Sequence, residues 1–466
     1  MIRRRTFLSG GACAAVAATV RPFAARAASA LPALPSCYAD YLPDVARRIN
    51  AIKSVTADGF FFLTDLHIPA NHKRSGQIVA DLIGRTRLRN VFCGGDFPQA
   101  YSTQLQANVD QTMADYLTYW ADPIVAAGGM LYSAKGNHDF TIKESSTGSG
   151  GWTYSSAVAR DFLMASTPRP FFVTNAADPV ACYGWRDVPH ARIRYIMADS
   201  SDSVHESSSK PWGVGYGMHQ TQLEWLADHA LGTVPDGWGV VFMYHIPTAP
   251  VVGYDWRNTG NNFYLFHRML EAYQHRGTVE MFGKTRDYSA AGGRILLCLE
   301  GHYHQDRFSH QNGILHICEA CDAYYGDYRL HTPYSGDLPA KTSGTIYEHT
   351  FDALQIDPAN DLIYTTRIGG GQDRVFHTNV VQVPAGSTRR FTAPHLSGTL
   401  SWVCYDGDTS VHDTSARTPE GYVALFNEHA VSVDADGTLH AGTPGPATLL
   451  ALDASYRKEV YCVQVV

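Results

Sequence analysis

The stretch RILLCLEGHYHQD, residues 294–306, runs from an apolar segment through a glycine into two histidines. Ile295, Leu296, Leu297 and Leu299 leave no polar face, as expected of a strand buried on both sides in a sheet covered by helices. His302 and His304 follow with one residue between them, so an extended chain turns both imidazoles the same way. Alone, H-x-H is a weak signal in a chain with 21 histidines. It becomes chemistry only where other strands end in carboxylates, amides or imidazoles that can meet it.

Such partners exist. Apolar runs at 59–65, 90–96, 130–136, 192–200, 239–245, 294–302 and 313–320 read as strands. Between them apolar residues recur at helical spacing: Ile78, Val79, Leu82 and Ile83; Val109, Met113, Tyr116, Leu117 and Trp120; Leu223, Trp225, Leu226 and Leu231; Phe263, Phe266, Met269, Leu270 and Tyr273. Strands alternating with helices predict an α/β fold, with layered sheets flanked by helices. The strand ends carry Asp65-Leu66-His67, Gly94-Gly95-Asp96, Gly136-Asn137-His138-Asp139, His245 and Gly301-His302-Tyr303-His304. Ligands collect outside the carboxyl ends of strands in such sheets, and glycines let backbone approach closely there.

Taken in order, D-x-H, G-D, G-N-H-D, a lone H and G-H-x-H resemble the calcineurin-like metallophosphoesterase superfamily across residues 55–376. The resemblance implies a layered β-sandwich flanked by helices and two divalent metal ions, Mn, Fe or Zn. It assigns Asp65, His67, Asp96 and His304 to the first ion. Asp96 would bridge to the second, whose other ligands would be Asn137, His245 and His302. Oxygen and imidazole donors without thiolate suit such ions. His138 would protonate the leaving group while a metal-activated hydroxide attacks phosphorus. Among the histidines between the third and last motifs, His190, His205, His219, His229 and His267 fall in loops or on helices, whereas His245 closes an apolar strand. His72 and His316 read as a loop and a strand residue. Gln99 stands where the purple acid phosphatase branch has tyrosine and the Ser/Thr protein phosphatases have aspartate, so neither branch is implied. The partner of His138 stays open, with Asp139 one candidate.

Residues 1–30 read as a leader. Arg4-Arg5-Thr6-Phe7-Leu8 is a twin-arginine signature, followed by a short Ala-rich run and an Ala28-Ser29-Ala30 cleavage site. The expected partners are therefore the twin-arginine export machinery and a small phosphate-ester substrate, with a periplasmic, cell-surface or secreted location. Without the leader's five arginines, the 37 basic and 44 acidic side chains become 32 against 44, a balance that disfavours general binding of nucleic acid. Eight cysteines remain beyond the leader, too sparse for a disulfide scaffold. Cys318 and Cys321 form a lone C-x-x-C, read as buried packing or a local disulfide before a redox or zinc site.

After residue 376 helical patterns stop. TLSWVCY, YVALF and VYCVQVV alternate between Gly, Pro, Asp and Thr turns, which predicts a small all-β sandwich over 377–466. Residues 430–466 resemble the second half of a bacterial immunoglobulin-like domain of group 2, implying a spacer or cell-surface contact. An integral β-extension of the preceding domain is the alternative.

Overall fold

A computed structural model describes residues 31–67, 73–97, 114–139, 141–143, 152–154, 172–178, 181–202, 207–208, 217–248, 262–304, 306–323, 341–406 and 431–466. The leader, Gln99, His72, His205, Val109, Met113 and the YVALF segment lie outside them.

Two sheets form the body. The strands are β1 (Asp58–Leu63), β2 (Asn90–Cys93), β3 (Met130–Ser133), β4 (Val173–Thr174), β5 (Gly184–Val188), β6 (Ile193–Met197), β7 (Gly239–Met243) and β8 (Arg294–Glu300). They continue as β9 (Arg307–Gln311), β10 (Ile314–Cys318), β11 (Thr350–Asp357), β12 (Leu362–Gly369), β13 (Arg374–Val383), β14 (Ser401–Asp406), β15 (Gly445–Leu452) and β16 (Lys458–Val465). The larger sheet runs β14-β15-β16-β13-β12-β11-β1-β2-β3, and the smaller runs β9-β10-β8-β7-β6-β5-β4. β1, β2 and β3 pair in parallel, as do β6, β7, β8 and β10, so their carboxyl ends converge on one edge.

The period-2 reading of β1 explains the layers. Phe60 and Phe62 face the smaller sheet and pack with Phe92, Tyr195, Met243 and Leu297. Phe61 and Leu63 face the other way, onto Ile78, Val79 and Leu82 of the helix Ser75–Arg85. The smaller sheet repeats the pattern. Val241 and Met243 point between the sheets, while Val240 and Phe242 meet Phe266, Met269 and Leu270 of the helix Phe263–Gln274. Helix, sheet, sheet and helix thus stack as an α/β sandwich. No helix among the described residues is long and apolar enough to cross a membrane.

The elements described after residue 376 are all β, and most of them continue the larger sheet. β13 crosses residue 376, pairing with β12 on one side and in parallel with β16 on the other. The expected division at 376/377 falls inside this strand, at a register shift between Phe376 and Val380. The change in sequence character thus falls within a continuous strand, at an irregularity in its pairing. Phe376, Leu450, Leu452 and Val460 belong to the core between the two main sheets. Farther along, Val383, Leu449 and Val463 build a smaller core with Val431 and Leu439. These last two lie in Val431–Val433 and Thr438–Ala441 of a separate three-stranded sheet.

Candidate metal centre

All seven strands expected between residues 59 and 320 are present, but the chemistry starts after they stop. β1 ends at Leu63 and β8 at Glu300, so strand alternation does not aim Asp65 and His67, or His302 and His304. Left-handed backbone does. Asp65, His67, Asp96, His302 and His304 have φ of +52°, +38°, +57°, +73° and +58°. Non-glycine residues rarely adopt this region, and strain of this kind concentrates at functional sites.

Two neighbouring glycines leave the necessary room. A Cβ on Gly136 would lie 2.1 Å from Asp96 Oδ1, and one on Gly301 would lie 2.0 Å from Thr64 Oγ1. Backbone bonds then lace the strand ends together: Asp65 N donates to Gly95 O, His67 N to Asp96 O, and Gly301 N to His245 O.

The side chains converge as two groups, Asp65 with His67 and His304, and Asp96 with His245 and His302. Within each, the donor atoms lie within 4.8 Å of one another. In the first, His67 Nε2 is 3.2 Å from His304 Nε2, which is 3.1 Å from Asp65 Oδ1. In the second, His245 Nε2 is 3.1 Å from Asp96 Oδ2. Asn137 Oδ1 joins this group, 3.0 Å from His245 Nε2 and 2.9 Å from His302 Nδ1. The groups adjoin: His245 Nε2 is also 4.0 Å from Asp65 Oδ1. His138 stands beside both, its Nε2 4.0 Å from Asp96 Oδ2 and its ring edge-on to His67 at 5.4 Å between centroids.

Each carboxylate is divided between structure and site. Asp65 Oδ2 accepts hydrogen bonds from Thr64 Oγ1 (2.8 Å) and His302 N (2.9 Å). Asp96 Oδ1 accepts one from His138 N (2.8 Å). Asp65 Oδ1 and Asp96 Oδ2 are buried among imidazole nitrogens without a hydrogen bond of their own among the described residues. Two buried anionic oxygens in that state fit a cation. His245 is set for the same task, because Nδ1 lies 2.8 Å from Gly94 O. A proton on Nδ1 donated to that carbonyl leaves Nε2 as a lone-pair donor.

Electrostatics agree. Burial, and then the charge of His304, lower His67 to about 3. Burial and the charge of His245 lower His302 to about 3. Both are therefore neutral at ordinary pH, the state a metal-ligating imidazole needs. Burial pulls His245 down, but Asp96 and Asp65 outweigh it and raise it to about 9. Burial likewise pushes Asp65 up, and the charges of His304 and His245 override it and hold the carboxyl low. The pocket favours positive charge, as proton or as metal ion.

The other described histidines named from the sequence pair elsewhere. His190 lies near Asp58, His219 pairs with Asp202 at 3.0 Å, and His267 pairs with Glu271. His316 is buried on β10 beside Glu300. Asp139 does not support the His138 side chain. Its carboxylate accepts from the backbone N–H groups of Asp96 (3.0 Å), Phe97 (2.8 Å) and Gly136 (2.6 Å), stapling two strand ends. Ser200 is a part the sequence reading missed. It closes the run RIRYIMADS, and its Oγ accepts from His245 N (3.2 Å) and Ile246 N (2.8 Å). Its strand-end position was the available signal. Cys318 and Cys321 are both buried, and the Cys318 thiol donates to Gly301 O at 3.0 Å.

No family model matches this chain, and no curated protein does. Among solved structures it is similar to a dimetal phosphatase from Danio rerio, with 14% identity and a TM-score of 0.45, covering 69% of this chain and 99% of that one. It is also similar to a NAD nucleotidase from Haemophilus influenzae, with 12% identity and a TM-score of 0.34, covering 69% of this chain and 50% of that one. A third is a putative 5'-nucleotidase from Staphylococcus aureus, with 12% identity and a TM-score of 0.35, covering 67% and 54%. The chain thus spans about half the length of the two nucleotidases. Overlaps this loose carry no argument about activity; the side chains of the centre carry it.

Proposed function

We propose that this protein is an exported, dinuclear-metal phosphoesterase that hydrolyses small organophosphates or lipid headgroups. The observation that carries the reading is the pair of adjoining Asp/His groups, each with one buried carboxylate oxygen turned inward without a hydrogen bond among the described residues. Asp65, His67 and His304 would hold one divalent ion, Asn137, His245 and His302 the other, with Asp96 between them. When bound, two such ions clamp a phosphoryl group and supply a strong nucleophile at neutral pH.

This chain's residues do the rest. Asp65 and Asp96 each keep one oxygen tied to backbone N–H, so neither carboxylate needs to reorient as charge builds. Gly94 O and Ser200 fix His245 through its ring and its backbone. His138 is part-buried at the rim, where its imidazole can give a proton to a departing alkoxide oxygen. Export by the twin-arginine route rests on residues 1–30 alone, and a cell-surface role for the C-terminal strands on their sequence resemblance.

The test is elemental analysis of the purified full-length chain, followed by assay of manganese-, iron- and zinc-loaded protein on phosphomonoesters and diesters. About two ions per chain and turnover of at least one ester class are expected. Full metal occupancy without turnover of any ester would favour a binding protein on the same scaffold. N-terminal sequencing of protein from its native host should start near Leu31; an intact Met1 would refute the leader.

A further inference from the structure

His302 and His304 both hold left-handed backbone, at a cost of about 1–3 kcal/mol each. Such a pair persists only where the chain is gripped on both sides. Upstream the grip is plain: Gly301 N donates to His245 O, and His302 N donates to Asp65 Oδ2. Downstream, two residues beyond His304, stands Asp306, which is buried. Its carboxylate accepts two hydrogen bonds from one guanidinium, Oδ2 from Arg367 Nη1 (2.8 Å) and Oδ1 from Arg367 Nη2 (2.9 Å). Oδ1 also accepts from Ala320 N at 3.1 Å.

Arg367 is itself immobilised. On β12, it donates through Nε to Asp352 Oδ1 of β11 (2.8 Å) and through Nη1 to Gly370 O (3.1 Å). Arg374 of β13 pairs with Asp352 and Glu319 in the same cluster. Asp306, Glu319, Asp352, Arg367 and Arg374 are each 3% exposed or less. Apolar side chains of similar volume would stabilise such a core as well or better, so a buried ionic cluster is weak evidence for stability. What a planar guanidinium provides that leucine cannot is direction: a two-point grip fixes both the distance and the orientation of one carboxylate.

We propose that Arg367 is a positioning residue for the candidate metal centre, acting through Asp306 to hold the His302–His304 loop in its strained, ligand-presenting form. The inference rests on the metal-binding reading above. It adds that β12, which contributes no ligand, determines how tightly the ion nearest His304 is held. The downstream grip lies outside the five motifs, yet it sets their geometry.

The experiment is manganese titration of the full-length chain, stripped with chelator, with thermal unfolding recorded on the same samples. In Asp306→Asn, affinity for one manganese ion should fall roughly 10- to 100-fold, the usual cost of losing a group that orients a ligand. The second ion should be less affected. Arg367→Lys keeps the buried charge but cannot span both oxygens, and should show a smaller loss of the same kind. It decides the matter should Asp306→Asn fail to fold. Arg374→Lys, in the same cluster but donating to Asp352 and Glu319 and no nearer than 3.9 Å to Asp306, should lower the melting temperature and leave manganese affinity close to wild type. Folded Asp306→Asn or Arg367→Lys with wild-type affinity for both ions would overturn the proposal. So would an equal affinity loss in Arg374→Lys, which would mean that the cluster serves the fold as a whole. Wild-type protein that takes up no manganese, zinc or iron would instead remove the metal reading, before any variant is compared.

Discussion

The larger sheet has two ends that obey different rules. At the carboxyl ends of β1 and β2, and at the facing end of β8, the chain leaves its strands within two or three residues and enters left-handed backbone. There it buries carboxylate oxygens that have no hydrogen bond among the described residues. At the other end, β13, β15 and β16 run eight to ten residues each in long ladders. No residue other than glycine is left-handed within them. The first end stores strain and unmet polarity; the second has almost none. They share one hydrogen-bonded sheet and one core, so the regular end is part of the frame that makes the irregular end affordable.

Removal of the regular end is the most destructive test. A chain ending at Thr378 loses Leu450, Leu452 and Val460 from the core between the sheets, along with their partners in the smaller core. Full burial of one such side chain stabilises by about 1.5–3 kcal/mol, and a whole domain by only about 5–15 kcal/mol. The truncated chain should therefore show no cooperative thermal transition by circular dichroism. If it melts cooperatively and binds metal, the C-terminal strands form an independent module after all.

The irregular end should break at Asp96, whose buried Oδ2 faces His245. Asp96→Ala is expected to lose at least one ion per chain by elemental analysis and essentially all turnover, while keeping its fold. A variant with two ions and full rate would remove Asp96 from the centre.

How much of this was legible beforehand follows the same division. The seven parallel-type strands and their helices announce themselves, because burial on both faces demands uninterrupted apolar runs such as Phe60–Leu63 and Val240–Met243. The seven proposed ligands could be named because each follows such a run. Their orientation could not, since strand alternation gave a plausible answer while left-handed φ values gave the actual one. Asp139 was weighed as a partner for His138 because it is adjacent in sequence; a carboxylate closing a tight turn onto three backbone N–H groups leaves no periodic trace. The Asp306–Arg367 pair spans 61 positions, and nothing local in either segment points to the other. At residue 376 the change of composition gave no sign that the strand runs on, because a pairing irregularity and a linker both interrupt periodicity. Only the pairing of β13 with β16 distinguishes them.

A milder break separates catalysis from assembly within the centre. His138 is proposed as the proton donor rather than a ligand. His138→Ala should keep both ions and lose about 10²–10⁴ in turnover. Nitrophenyl esters, whose leaving group needs no proton, should suffer less than alkyl esters. An equal loss on both would make His138 a positioning group.

The smallest effect is expected at Lys458, where the regular end carries its own unmet charge. Lys458 opens β16 opposite Arg374 and is buried, with Nζ donating to Tyr456 O at 3.2 Å. Burial, and then the charge of Arg374, depress it from 10.5 to about 7. A lysine whose folded value lies below its unfolded one binds more protons when unfolded. Stability should therefore rise with pH between about 7 and 10.5, each pH unit being worth at most about 1.4 kcal/mol. Lys458→Met keeps the aliphatic stem and removes the titration. It should flatten that slope and raise the melting temperature by a few degrees at pH 7, with little change at pH 10. The check is thermal unfolding of both proteins across this range. Parallel profiles would mean that Asp453 and Asp306 neutralise the lysine in place, and that the regular end carries no electrostatic strain at this point.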